Sequence, residues 1–101
     1  MVEKLSIKEL NNNLVSMDGW TKTNDNTAII KTFNFKSFDD AWNFMTQVAI
    51  KSSSMNHHPD WSNSYNKVIV ELSTHNIGGV TDLDIELANY MDVTALDIRL
   101  I

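Results

Sequence analysis

Three helix starts, each marked by its own capping residues and each separated from the next by a change of period, constrain this 101-residue chain more than anything else in it. Ser6-Ile7-Lys8-Glu9 has the spacing of a capping box, in which a hydroxyl and a carboxylate each satisfy a backbone N–H that the first turn leaves free. Ile7, Leu10, Leu14 and Met17 then recur at helical spacing until Asp18-Gly19 ends the run. Ser37-Phe38-Asp39-Asp40 opens a second helix, whose apolar stripe reads Phe38, Ala41, Trp42, Met45, Val48 and Ala49. Thr81-Asp82-Leu83-Asp84 opens a third, with Ile85, Ala88 and Met91 on one side and Leu83 and Leu87 beside them.

Between the helices the period drops to two. Thr27 to Phe35 is rich in β-branched and aromatic residues and follows the turn-forming Asn24-Asp25-Asn26, so a short strand at Trp20 to Thr23 can pair with it as a hairpin. From Lys67 to His75 the alternation puts Val68, Val70 and Leu72 toward a core, with Lys67, Ile69, Glu71, Ser73 and His75 facing the other way. Asp60 to Tyr65 reads either as a fourth strand or as an extended approach to the third. The expectation is an α+β fold: a four-stranded antiparallel sheet with three helices packed on one face, in α-β-β-α-β-β-α order. One proline and three glycines leave no room for a linker, so residues 1–101 read as a single domain.

Composition narrows the function. Thirteen acidic against eight basic residues give a net charge of −5, the wrong sign for nonspecific binding to nucleic acid or an anionic membrane. No apolar run reaches the ~20 residues of a membrane span, and Met1 to Leu5 lacks a secretory core. The absence of cysteine removes disulfides, thiolate metal sites and a cysteine nucleophile, and suits a reducing compartment. A cytoplasmic protein is expected.

All three histidines fall between 57 and 75, in Ser53-Ser54-Met55-Asn56-His57-His58-Pro59-Asp60-Trp61 and Ser73-Thr74-His75. Pro59 restricts His58 to an extended conformation. Imidazole moves protons in both directions near neutrality, so the cluster reads as an acid–base site or, more plainly, as polar residues in connections. A metal site is disfavoured by spacing. Adjacent residues of an extended segment point to opposite sides, and neither His-x-His nor His-x-x-x-His occurs, although Asp84 or Asp60 would complete a ligand count. A flat organic substrate is less demanding, and Trp20 and Trp61 are candidates to wall its pocket. Asp84 also stands where a capping carboxylate belongs.

At these residues the chain resembles the pterin-4a-carbinolamine dehydratases, the dimerisation-cofactor family. His57-His58-Pro59, Tyr65, His75 and Asp84 fall at that family's intervals, and Asp18-Gly19-Trp20, Phe33-Asn34-Phe35, Tyr65-Asn66-Lys67-Val68 and Leu72-Ser73-Thr74-His75 read in register with it. The likeness spans roughly residues 18 to 92. It implies loss of water from a 4a-hydroxytetrahydrobiopterin to give quinonoid dihydrobiopterin, in tetrahydrobiopterin recycling, by histidine general acid–base catalysis without metal or cofactor. His57, His58 and His75 are then the catalytic set, His57 and His75 moving protons while His58 positions the ring. Trp20, Ser53, Pro59 and Asp84 bind substrate or support the site. Ser53 departs from the usual glutamate, bringing a hydrogen-bonding group without a charge. The resemblance also implies a homodimer or homotetramer. It leaves open a second role, a non-enzymatic interaction module of the coactivator type, with the nucleus as a further location. The apolar tail Ala95 to Ile101 matches the family poorly and reads as an extension of the third helix toward a subunit contact or onto its own core.

Overall fold

A computed structural model describes residues 2–100; Met1 and Ile101, the outer ends of the N-terminal segment and tail read above, lie outside the described residues. The elements follow the expected order: α1 (Ile7–Leu14), β1 (Thr21–Lys22), β2 (Ile29–Asn34), α2 (Phe38–Met55), β3 (Asp60–Ser64), β4 (Lys67–Leu72) and α3 (Asp82–Leu100). The capping box of α1 is fully formed, with Ser6 Oγ accepting from the Glu9 N–H at 3.1 Å and Glu9 Oε1 accepting from the Ser6 N–H at 2.8 Å. The helix stops at Leu14, earlier than the apolar spacing suggests. Tighter turns follow, in which the Met17 N–H reaches the Leu14 carbonyl at 3.1 Å and Met17 stays buried.

The sheet is antiparallel throughout, in the order β1-β2-β4-β3. Asp60 to Ser64 is therefore a true strand, on the edge beside β4. Pairing of Phe33 with Val68 and Ile29 with Leu72 collects the inward residues on one face. Ile29, Phe33, Val68, Val70 and Leu72 are all buried, while Thr32, Asn34, Lys67 and Ile69 on the opposite face are exposed, so the helices cover one side only. Phe33 meets Phe44 of α2 with ring centroids 4.8 Å apart, at the centre of this layer. Each such fully buried side chain contributes about 1.5–3 kcal/mol of transfer free energy.

The stripe expected on α2 needs correcting. The buried positions are Ala41, Phe44, Val48 and Ser52, whereas Phe38, Trp42 and Ala49 are exposed and Met45 is half-buried. Positions 38, 41, 42, 44, 45, 48 and 49 spread over an apolar arc of about 160° of the helical circumference, so spacing alone admits two overlapping faces. The sheet takes the one with Phe44. In α3 the tail divides similarly, with Ala95 and Ile98 buried and Leu96 and Leu100 exposed. Among the described residues no helix is long and apolar enough to cross a membrane.

Candidate active site

The end of α2 aims the first two histidines. Asn56 caps the helix in the left-handed region, φ 51° and ψ 43°, a conformation asparagine adopts more readily than other side-chain-bearing residues. Its N–H bonds the Ser53 carbonyl at 3.2 Å and that of His57 bonds the Ser52 carbonyl at 3.0 Å, so the chain leaves the helix along a fixed path. Extended geometry before Pro59 then sends successive side chains to opposite sides. His57 turns inward, 8% exposed, and His58 outward into solvent.

The facing wall comes from the end of β4. After Leu72 the chain runs through Ser73, Thr74, His75 and Asn76 into a turn that Gly78 completes at φ 78° and a Thr74–Gly79 bridge closes. Between Asn56-His57-His58 and Ser73 to Asn76 lies an open cleft of about 280 Å³. The three histidines, 18 positions apart at their extremes, thus share one depression.

Behind the cleft a carboxylate anchors His57. Its Nε2 lies 2.6 Å from Asp84 Oδ1, and Asp84 itself is wholly buried. The other oxygen, Oδ2, accepts from the Thr74 hydroxyl at 2.8 Å and from the Thr81 N–H at 2.9 Å. Thr81 Oγ1 in turn accepts from the Leu83 N–H at 3.2 Å and lies 2.8 Å from Thr74 Oγ1. Asp84 is therefore both the capping carboxylate of α3, the fourth residue of Thr81-Asp82-Leu83-Asp84, and the partner of His57.

His75 has a carboxylate too, of different character. Its Nε2 is 3.1 Å from Asp60 Oδ2, and the two side chains are 73% and 60% exposed. Asp60 opens β3, and the sequence marks its carboxylate only as a candidate metal ligand. The signal that could have found it is strand register: β3 pairs with β4 so that Asp60 stands opposite Glu71, at the end of the strand nearest His75. In both pairs Nε2 faces the carboxylate, which leaves Nδ1 as the nitrogen available to a ligand.

The remaining expected residues separate. Pro59 sits between His58 and Asp60 and shapes the path. Ser53 is exposed on the last turn of α2 and does not line the cleft. Trp20 belongs to the core instead of the cleft: it is 4% exposed, packs edge-on to Phe33 and donates its Nε1–H to Asp92 at 3.0 Å. Trp61 lines a groove against α2, apart from the histidines. Tyr65 forms the tip of the β3–β4 hairpin at φ 52°, at the other end of these strands from Asp60. Among the described residues no three of His, Asp and Glu converge as metal ligands.

Fold and cleft together define a small α+β protein with a histidine-lined depression backed by carboxylates. The family model for pterin 4 alpha carbinolamine dehydratase matches residues 3–94, and the chain belongs to that family. A curated relative from Rhizobium meliloti (strain 1021), provisionally named as a pterin-4-alpha-carbinolamine dehydratase, is 48% identical over 93 residues, 92% of this chain and 89% of its own length. One from Burkholderia pseudomallei (strain 1710b), named in the same provisional way, is 46% identical over 91% of each chain. The crystal structure of a transcriptional coactivator/pterin dehydratase from Brucella melitensis superposes with a TM-score of 0.90 at 43% identity, covering 92% of this chain and 99% of that one. A pterin dehydratase-like protein identified as a RuBisCO assembly factor in the alpha-carboxysome shares the fold, with a TM-score of 0.66 at 20% identity over 76% of this chain and 89% of that one.

Proposed function

We propose that this protein dehydrates 4a-hydroxytetrahydrobiopterin, the pterin-4a-carbinolamine, to quinonoid dihydrobiopterin, in tetrahydrobiopterin recycling. The observation that carries the reading is the convergence of His57, His58 and His75 on one cleft, with two of the rings held through Nε2 by aspartates. The N5 lone pair expels the 4a hydroxyl, a general acid protonates it so that it leaves as water, and a base takes the remaining N5 proton. His57 and His75 are the proton-transfer pair and His58 steadies the ring. Proton transfer by positioned groups of this kind is worth about 10²–10⁴-fold. The reaction as written needs no metal or cofactor, and we place it in the cytoplasm, in keeping with a chain free of cysteine.

Stopped-flow dehydration of freshly generated substrate tests this. The reaction also proceeds unaided, so the expected result is an acceleration proportional to protein concentration and unchanged by chelator. No acceleration by folded protein rejects the reading.

A second reading, an interaction module on the same fold, is favoured by the exposed side of α2. Phe38 and Trp42 stack with centroids 6.0 Å apart, and Trp42, Met45, Ala49 and Ile50 form an apolar groove of about 330 Å³ with Trp61. An apolar face of this kind suits self-association, and we propose a homo-oligomer built through it. Trp42→Asp should shift the sedimentation mass toward the monomer; an unchanged mass removes this face from the assembly.

A further inference from the structure

We propose that Thr74 and Thr81 are positioning residues that set the orientation and tautomer of His57 through Asp84, a role that rests on the dehydratase reading only for its catalytic consequence. The proton inventory of the buried cluster allows one arrangement that uses each donor once. Thr74 has a single hydroxyl proton and two oxygen neighbours, Asp84 Oδ2 at 2.8 Å and Thr81 Oγ1 at 2.8 Å. If Thr74 donated to Thr81, the Thr81 oxygen would receive two donors, from Thr74 and the Leu83 N–H, and its own proton would find no acceptor. With Thr81 donating to Thr74 and Thr74 to Asp84, every group is satisfied. Oδ2 is then filled by the Thr74 hydroxyl and the Thr81 N–H. Oδ1 is left to accept from His57 Nε2–H, which fixes Nε2 as a proton-bearing nitrogen and leaves Nδ1 for the cleft.

Burial makes this arrangement rigid. Thr81 and Asp84 are wholly buried and Thr74 is 6% exposed, so no water competes for these bonds at the carboxylate. Thr81 does not line the cleft at all, and its side chain acts on His57 only through Thr74 and Asp84. Hydroxyls in such a chain polarise one another, so removal of the far one is felt at the near end, though less strongly.

Proton NMR of the substrate-free, ¹⁵N-labelled protein reads the His57 Nε2–H directly and assumes nothing about the reaction. A hydrogen bond as short as 2.6 Å predicts a far-downfield, exchange-protected resonance, assigned by its loss in His57→Gln. Thr74→Val is expected to move this resonance upfield or lose it to exchange, and to lower kcat roughly tenfold, the worth of one hydrogen bond to a charged group. Thr74→Ser restores both. Thr81→Val shifts the same resonance by a smaller amount and Thr81→Ser leaves it in place. A folded Thr74→Val protein that keeps the natural resonance overturns the proposal; if that variant does not fold, an unmoved resonance in Thr81→Val does so instead. A moved resonance in a protein whose natural form accelerates no dehydration upholds the positioning and removes the dehydratase reading.

Discussion

Two histidine–aspartate pairs flank one cleft and have little else in common. His57 and Asp84 meet at 2.6 Å in the protein interior, with the carboxylate wired to two threonines and a helix start. His75 and Asp60 meet at 3.1 Å in the open, joined to the rest of the molecule by a turn and an edge strand. The same two side chains make a structural fixture in one place and an adjustable contact in the other. Burial accounts for the difference: a desolvated charge without its partner is costly, whereas an exposed one is simply hydrated.

Removing a carboxylate from each pair is the sharpest way to break this contrast. Asp84→Ala strands His57, Thr74 and the Thr81 N–H at once and should lower the unfolding free energy by about 3–5 kcal/mol, as loss of one partner of a buried pair does. Urea denaturation measures it, and a loss near zero would end the claim that the buried pair is structural. His57→Gln, which keeps a donor beside Asp84, and His75→Ala are next, each expected to cut the dehydration rate at least about tenfold while fold and assembly survive. A near-natural rate in either variant removes that ring from proton transfer. Asp60→Ala should leave stability within about 0.5 kcal/mol of the natural protein, since exposed pairs contribute little. Its dehydration rate should fall less than that of His75→Ala, and a drop as deep would make Asp60 an equal partner in the chemistry. Ser53→Glu is expected to change the rate little, because Ser53 stands on the exposed side of the last turn of α2. A large gain would mean that the missing carboxylate limits the natural chain.

The smallest effect lies far from the cleft. The Ser6 backbone N–H, followed by its hydroxyl, holds the Glu9 carboxyl below the usual carboxylate range. A depressed folded-state value contributes stability that is present above the unfolded value and lost as pH falls through the folded one. Glu9→Gln, which removes the carboxyl that the Ser6 backbone N–H holds, should therefore flatten the acid limb of the unfolding midpoint measured against pH. An unchanged acid limb would detach Glu9 from the cap.

The local signals in the sequence were the reliable ones. Caps at Ser6, Ser37 and Thr81 and alternation at Val68, Val70 and Leu72 are short-range features, and the elements form where those features stand. The order β1-β2-β4-β3 depends on pairing between distant strands, on which period says nothing. The buried face of α2 was obscured because the apolar arc of the helix is wide, one part serving its own sheet and one left exposed around Trp42. At the cleft the clustering of the histidines and the capping place of Asp84 were legible in the residues themselves, and their joining in one site only through family resemblance. Thr74 and Asp60 were missed as partners because each meets its mate only through tertiary pairing. Trp20 was misplaced for the opposite reason: an indole with a carboxylate for its N–H fits a core as well as a pocket.

The double duty of Asp84 has a consequence for reading relatives of this chain. A descendant without the proposed chemistry would still gain from a carboxylate at the start of α3, so selection for folding alone favours keeping the aspartate. His75 and Asp60 carry no such obligation and would drift as soon as the reaction ceased to matter. In this architecture the exposed pair, and not the buried one, is the better record of whether a given copy still works as an enzyme.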